Sequence, residues 1–170
     1  RCKGCSNPEL WEFEEKYRTS IEVIMRLINS IGEKDEIEGF TITGGDPFEQ
    51  PDSLNILLDE IRKINDDIIV YTGYEFKELP TSIVTKTAVI IDGKYIEEQN
   101  HEIVLKGSDN QNIIIVDNKY QNKYEQYLQV AKNEIQNFVT GNSVISVGIH
   151  KPGFDAELKK RIKTKGLEEA

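Results

Sequence analysis

The chain has 170 residues, a formal net charge of −9, 38% hydrophobic and 30% charged residues. That length suits one domain, residues 1–170, with a core burying roughly 70% of the unfolded surface, and the composition is that of a soluble globular protein. The acid excess excludes general nucleic-acid binding, no apolar run reaches the ~18–20 residues of a membrane span, and the 2 cysteines, three positions apart, make no disulfide framework and suit a reducing, cytoplasmic setting.

Residues 1–17 read as irregular, with Asn7-Pro8 as a turn signal and Trp11 and Phe13 as packing anchors. Thr19 or Ser20 can cap a helix, with Glu22 early in it where the helix dipole favours a negative charge. Ile21, Ile24, Met25, Leu27, Ile28 and Ile31 recur at helical spacing, and Gly32 sits where that helix would end. Residues 37–43, rich in β-branched and apolar types, predict a strand that runs into Gly44-Gly45. Pro51-Asp52-Ser53 opens a second helix with Leu54, Leu57, Leu58, Ile61 and Ile64 as its stripe.

Residues 68–71 form a continuous apolar strand, the pattern of a strand buried on both faces. Residues 75–79 suggest a short helix stopped by Pro80. Residues 87–91 repeat the buried-strand pattern and close on Asp92-Gly93. The stretch 95–111 is polar and loop-like, with a short strand at 102–105. A strand follows at 113–116, a helix at 121–138, a last strand at 144–149 and a terminal helix at 154–162, whose basic end, Lys159-Lys160-Arg161, suits a helix C-terminus. Strands alternating with helices predict a parallel α/β sheet with right-handed crossovers.

Three short signatures carry chemistry. Cys2-Lys3-Gly4-Cys5 places two thiols close enough to share one metal; by itself the pattern is half a zinc site or a redox dithiol. No other cysteine exists, and His101 and His150 are remote in sequence. Thr43-Gly44-Gly45-Asp46-Pro47 follows a strand. It reads either as an ordinary turn or as a place where residues without a Cβ let backbone approach a ligand. Tyr71-Thr72-Gly73-Tyr74 and Ile91-Asp92-Gly93-Lys94-Tyr95 follow the next two strands, where α/β barrels assemble their sites. For these too the plainer reading is a tight turn.

In this order and spacing the signatures resemble the radical S-adenosylmethionine (SAM) superfamily, in its anaerobic ribonucleoside-triphosphate reductase activating protein branch. The stretch from Arg1 to Trp11 is similar to the cluster loop of that family. The family's motif is Cys-x-x-x-Cys-x-x-Cys; its last two cysteines fall on Cys2 and Cys5, and its first would lie three residues before Arg1, so residues ahead of Arg1, including an N-terminal strand, are expected. The diglycine segment resembles the family's Gly-Gly-Glu-Pro motif, with Asp46 in place of Glu. Thr72-Gly73 resembles its Thr-Gly-Tyr, and Asp92-Gly93 its Asp-Gly segment. Gly107-Ser108-Asp109-Asn110-Gln111 resembles a Gly-Ser-x-Asn-Gln stretch of these activases, with no physical reason evident from sequence for those side chains. His150, after a strand, reads first as a structural histidine.

The resemblance implies a partial β/α barrel with a [4Fe-4S] cluster on Cys2, Cys5 and the upstream cysteine. Three thiolates in place of the usual four would leave one iron open, which the family uses to chelate SAM. It further implies SAM held by Thr43, Gly44, Gly45, Asp46, Thr72 and Gly73, with Asp92 a weaker candidate. The implied reaction is reductive cleavage of SAM to form a glycyl radical on an anaerobic ribonucleotide reductase, fed by a donor such as flavodoxin or ferredoxin. Alternatives are an activase of another glycyl radical enzyme, a radical SAM enzyme modifying a small molecule or peptide, or a non-catalytic metal- or partner-binding protein.

Overall fold

The computed structural model describes residues 2, 3, 5, 8–101, 103–129, 135–140, 143–148 and 153–164. After two short 3-10 turns, Pro8–Trp11 and Glu15–Tyr17, the chain enters helix α1 (Ile21–Gly32). Ser20 caps it: its Oγ accepts the Val23 N–H at 3.3 Å. Strand β1 (Phe40–Ile42), helix α2 (Pro51–Ile61), strand β2 (Ile68–Tyr71), helix α3 (Thr81–Val84) and strand β3 (Val89–Asp92) follow in βαβ order. Then come strand β4 (Asn112–Ile115), helix α4 (Gln121–Tyr127), strands β5 (Gln136–Thr140) and β6 (Ser143–Val147), and helix α5 (Phe154–Thr164).

The main sheet has the order β1-β2-β3-β4. β1, β2 and β3 are parallel, with Phe40 opposite Ile68 and Ile69 opposite Val89. Period-2 alternation sends successive side chains to opposite faces. Phe40, Ile42, Ile68, Val70 and Ile90 therefore meet α1–α3, in a core built on Leu54, Leu58, Ile61, Ile83 and Val84. Ile69, Tyr71, Val89, Ile91, Ile113 and Ile115 face the other way, onto Leu105, Tyr120 and Tyr124. With both faces covered, β3 is buried at every residue, as its unbroken apolar run predicts.

Several expectations need correcting. β4 is antiparallel to β3, with Asp92 opposite Asn112. Among the described residues of 93–111 the one helical element is a 3-10 turn, Glu97–Gln99; the chain returns at the edge it left, so the next strand runs backwards. Residues 103–105 are no strand: they lead into and form a turn in which Leu105 adopts φ 65°. The predicted helix over 121–138 ends at Tyr127. Its last residues belong to β5, which pairs with β6 in a separate two-stranded antiparallel sheet. Phe138, Val139 and Thr140 favour a strand, and Gly141-Asn142 between two such runs is a hairpin signal. The short helix expected at 75–79 is a 3-10 turn, Phe76–Glu78, that ends ahead of Pro80, and Pro80 also opens α3, from which Ile83 and Val84 reach the core. Trp11 and Phe13 are not core anchors: they are 39% and 74% exposed. On α1, Met25 and Ile28 pack on the core, whereas Val23, Leu27 and Ile31 face outward. His150 lies outside the described residues.

Candidate functional site

Parallel pairing brings the C-terminal ends of β1, β2 and β3 to one edge. Each strand there runs straight into one of the glycine turns singled out in the sequence. After β1, Gly44 and Gly45 take φ of 85° and 52°, a region that costs an L-residue roughly 1–2 kcal/mol. The diglycine is thus required by the backbone itself. A Cβ on Gly44 would meet Leu10 Cδ1 at 3.4 Å, and one on Gly45 would meet the Leu10 carbonyl oxygen at 3.2 Å.

Asp46 closes the turn. Its Oδ1 accepts the Phe48 N–H at 3.1 Å, capping the 3-10 turn Pro47–Glu49. The same carboxylate reaches across to the end of β2. The Thr72 hydroxyl donates to Asp46 Oδ1 at 2.9 Å, and the Gly73 N–H donates to Oδ2 at 2.7 Å. Thr72 is buried, and its Oγ1 in turn accepts the Tyr74 N–H at 3.2 Å. Tyr74 hydroxyl donates to Glu49 Oε1 at 2.5 Å, a second link between the two loops, and that bond holds the phenol above its ordinary pKa.

Asp92, at the end of β3, is 4% exposed. Its Oδ2 accepts the Phe76 N–H at 2.7 Å and its Oδ1 accepts the Asn112 side-chain amide at 2.8 Å. The carboxylate thus joins the loop after β2 to the start of β4. Lys94 is exposed beside this edge, with its Cγ 3.7 Å from where a Cβ on Gly73 would lie. The turns around Thr43 to Asp46, Thr72-Gly73 and Asp92 to Lys94 are therefore contiguous.

Asn110 and Gln111 receive a physical explanation that sequence reading lacked. Gln111 Oε1 accepts the N–H groups of Gly107 at 2.8 Å and Ser108 at 3.2 Å, while its Nε2 donates to the Gly93 carbonyl at 2.8 Å. Asn110 Nδ2 donates to the Lys94 carbonyl at 2.8 Å, and Ser108 Oγ accepts the Ile96 N–H at 3.0 Å. Gly107 is needed because a Cβ there would stand 3.0 Å from the Tyr95 ring. The segment ties down the loop leaving β3.

The cysteine loop sits at the same edge. Leu10 lies on the diglycine turn, and Lys3 Nζ pairs with Glu98 Oε1 at 2.7 Å in the loop after β3. Cys2 and Cys5 are free thiols, half-buried, and Cys5 N–H donates to the Cys2 carbonyl at 3.3 Å. Among the described residues no three His, Cys, Asp or Glu side chains gather as a metal-binding group, and no helix is long and apolar enough to cross a membrane.

The sequence matches the family of the 4Fe-4S single cluster domain over residues 1–114, from the cysteine loop into β4. It is 30% identical over 118 residues to the anaerobic ribonucleoside-triphosphate reductase-activating protein of Enterobacteria phage T4, covering 66% of this chain and 75% of the phage protein. It is also 30% identical over 121 residues to the protein of that name from Vibrio cholerae serotype O1, covering 65% of this chain and 77% of that protein. No solved structure matches the chain. The matched stretch contains every glycine turn of the strand edge, and on these similarities the chain belongs to the family of anaerobic ribonucleoside-triphosphate reductase-activating proteins, built on a 4Fe-4S single cluster domain.

Proposed function

We propose that this protein is a radical SAM activating enzyme, with a partial β/α barrel whose mouth is the C-terminal edge of β1–β3, and that it forms a glycyl radical on an anaerobic ribonucleotide reductase. The observation that carries this reading is Leu10, five positions past Cys5, lying against Gly44 and Gly45.

The residues present fit the two cofactors. Two free thiols in one turn are the soft donors that iron–sulfur chemistry takes. On this reading Cys2 and Cys5 supply two thiolates and a cysteine upstream of Arg1 the third. Thr43, Gly44, Gly45 and Asp46 form one wall of the SAM site, and Thr72, Gly73 and Asp92 the other. Without a Cβ, both glycines leave their backbone open to close approach by a ligand. The stem of Lys94 lies beside Gly73 at this edge. When bound, cluster and SAM supply one-electron cleavage of the S–C5′ bond and, from it, hydrogen abstraction from a glycine of the partner. The chain's own work is to hold the two groups adjacent at an edge that another protein can reach. The electron would come from a flavodoxin- or ferredoxin-type donor in the cytoplasm.

The test is to reconstitute the full-length protein without oxygen, reduce it, add SAM and an anaerobic ribonucleotide reductase, and look for a glycyl radical by electron paramagnetic resonance. The expected result is about four irons per chain and a radical that needs SAM. A stable zinc protein giving no radical would overturn the reading.

A further inference from the structure

The Asp46 carboxylate engages three donors of its own chain: Phe48 N–H, Thr72 hydroxyl and Gly73 N–H, at 3.1, 2.9 and 2.7 Å. The donors come from two separate loops, one after β1 and one after β2. The Thr72 hydroxyl is likewise spent within the chain, donating to Asp46 and accepting from Tyr74 N–H. Hydrogen bonds to an ionised acceptor are the strong kind, and here they span 26 and 27 positions of sequence.

We infer that Asp46 and Thr72 are positioning residues: the carboxylate clamps the diglycine turn to the Thr-Gly turn, so the two walls of the SAM site hold one spacing. The inference rests on the reading of this edge as a SAM site. It gives the two side chains a different task from touching the cofactor, which is left to the backbone of Gly44, Gly45 and Gly73. The size of Asp46 matters, because its short side chain caps the turn at Phe48 and still reaches Gly73. A Cβ at position 73 would lie 3.4 Å from Asp46 Oδ2, in van der Waals contact with the carboxylate.

Two substitutions separate this role from plain stability. Asp46→Asn keeps shape and an acceptor for Phe48 N–H and the Thr72 hydroxyl, but sets an amide N–H₂ against the Gly73 N–H. Thr72→Val keeps shape and removes the hydroxyl, and Thr72→Ser restores it. The experiment uses the anaerobically reconstituted full-length protein, with SAM affinity read by calorimetry, and hydrogen exchange at Gly73 read on the same variants by mass spectrometry. The expected result is a SAM affinity about ten- to a hundredfold lower in Asp46→Asn and Thr72→Val, the scale of one lost bond to a charged group. Faster exchange at Gly73 should accompany Asp46→Asn, and Thr72→Ser should bind SAM as the parent does. Wild-type affinity in Thr72→Val, or no rescue by Thr72→Ser, overturns the clamp alone. A parent protein that takes up no SAM, with Gly73 still protected, overturns the proposed function instead.

Discussion

The Tyr124 hydroxyl donates to Asp67 Oδ1 at 2.5 Å, joining α4 to the residue just ahead of β2, and Lys123 pairs with the other oxygen. One position earlier the pattern repeats: Asp66 takes Tyr120 hydroxyl at 2.5 Å and Lys119 Nζ at 2.7 Å. Lys119-Tyr120 and Lys123-Tyr124 are one helical turn apart, so two adjacent aspartates capture two successive turns of the same segment. This anchor lies at the end of the sheet opposite the glycine turns, since both aspartates precede β2. It is structural, and it leaves the other edge free for chemistry.

Tyr124→Phe should therefore destabilise the fold by about 1–3 kcal/mol, because the 4%-exposed Asp67 loses a donor and the ring stays. Urea unfolding should show a lower midpoint at an unchanged slope. Gly39→Ala should also destabilise, because its Cβ would stand 2.7 Å from the Asp67 carbonyl oxygen and backbone would have to move. A Gly39→Ala protein of parental stability would show that this strand end yields easily.

Alkaline pH should unfold the protein through its buried tyrosines. Burial pushes the phenols of Tyr71 and Tyr124 well above their ordinary pKa, and the Asp67 carboxylate raises Tyr124 further. A group with a raised folded pKa contributes stability that is whole below its unfolded pKa. That contribution fades as pH rises past about 10, where the unfolded chain releases the proton and the native chain keeps it. The loss approaches about 1.4 kcal/mol per pH unit for each of the two residues. Tyr71→Phe should flatten the slope, as read by urea unfolding across pH 9 to 11.

Gln111→Ala should free the loop leaving β3. Gly107 and Ser108 lose their shared acceptor and the Gly93 carbonyl loses its donor. The expected cost is about 1–3 kcal/mol, with faster hydrogen exchange at Gly107 and Ser108 and earlier proteolysis within 93–111. Unchanged exchange at those amides would show that Asn110 and Ser108 hold the loop alone.

Gly45→Ala should lower both stability and SAM affinity, because φ of 52° strains an L-residue and the new Cβ would meet the Leu10 carbonyl oxygen at 3.2 Å. Gly153→Ala is the control. Its φ is 81° with nothing within 4 Å of a Cβ, so it should carry the same strain, about 1–2 kcal/mol, and leave SAM affinity unchanged. Equal SAM binding in both variants would show that the diglycine serves the turn only.

Cys5→Ala should abolish iron retention after anaerobic reconstitution and leave thermal unfolding of the unreconstituted protein unchanged. Cys5 is half-buried in the N-terminal loop, outside both core clusters. Iron content near the parental level would remove Cys5 from the cluster.

Much of the fold was legible in local pattern. The apolar run of β2 lies where read, at Ile68–Tyr71, because a strand with apolar packing on both faces leaves an unbroken signature. Ser20 caps α1 as its hydroxyl predicts. The turns at Gly44-Gly45 and Gly93 were legible too, because left-handed backbone after a strand selects glycine. Other features misled for stated reasons. Tyr124, Tyr127, Leu128, Ala131 and Ile135 keep helical spacing in the sequence past the end of α4 at Tyr127, so periodicity alone overran the boundary. Phe13 reads as core by type, yet it is 74% exposed, since hydrophobicity does not say what lies opposite a residue. The roles of Asn110 and Gln111 rest on bonds to Lys94, Gly93, Gly107 and Ser108 that only the folded loop brings into reach.

Preferences acting within a few residues sufficed for the glycine turns after β1 and β3, the extended run of β2, the Ser20 cap of α1, and the order of these features along the chain. Only the tertiary structure decided that β4 runs back against β3, that α4 is moored by Asp66 and Asp67, and that Asp46 spends its carboxylate on Thr72 and Gly73. Those outcomes depend on pairing groups tens of residues apart, and chain closure of that kind leaves no periodic trace in the sequence it joins.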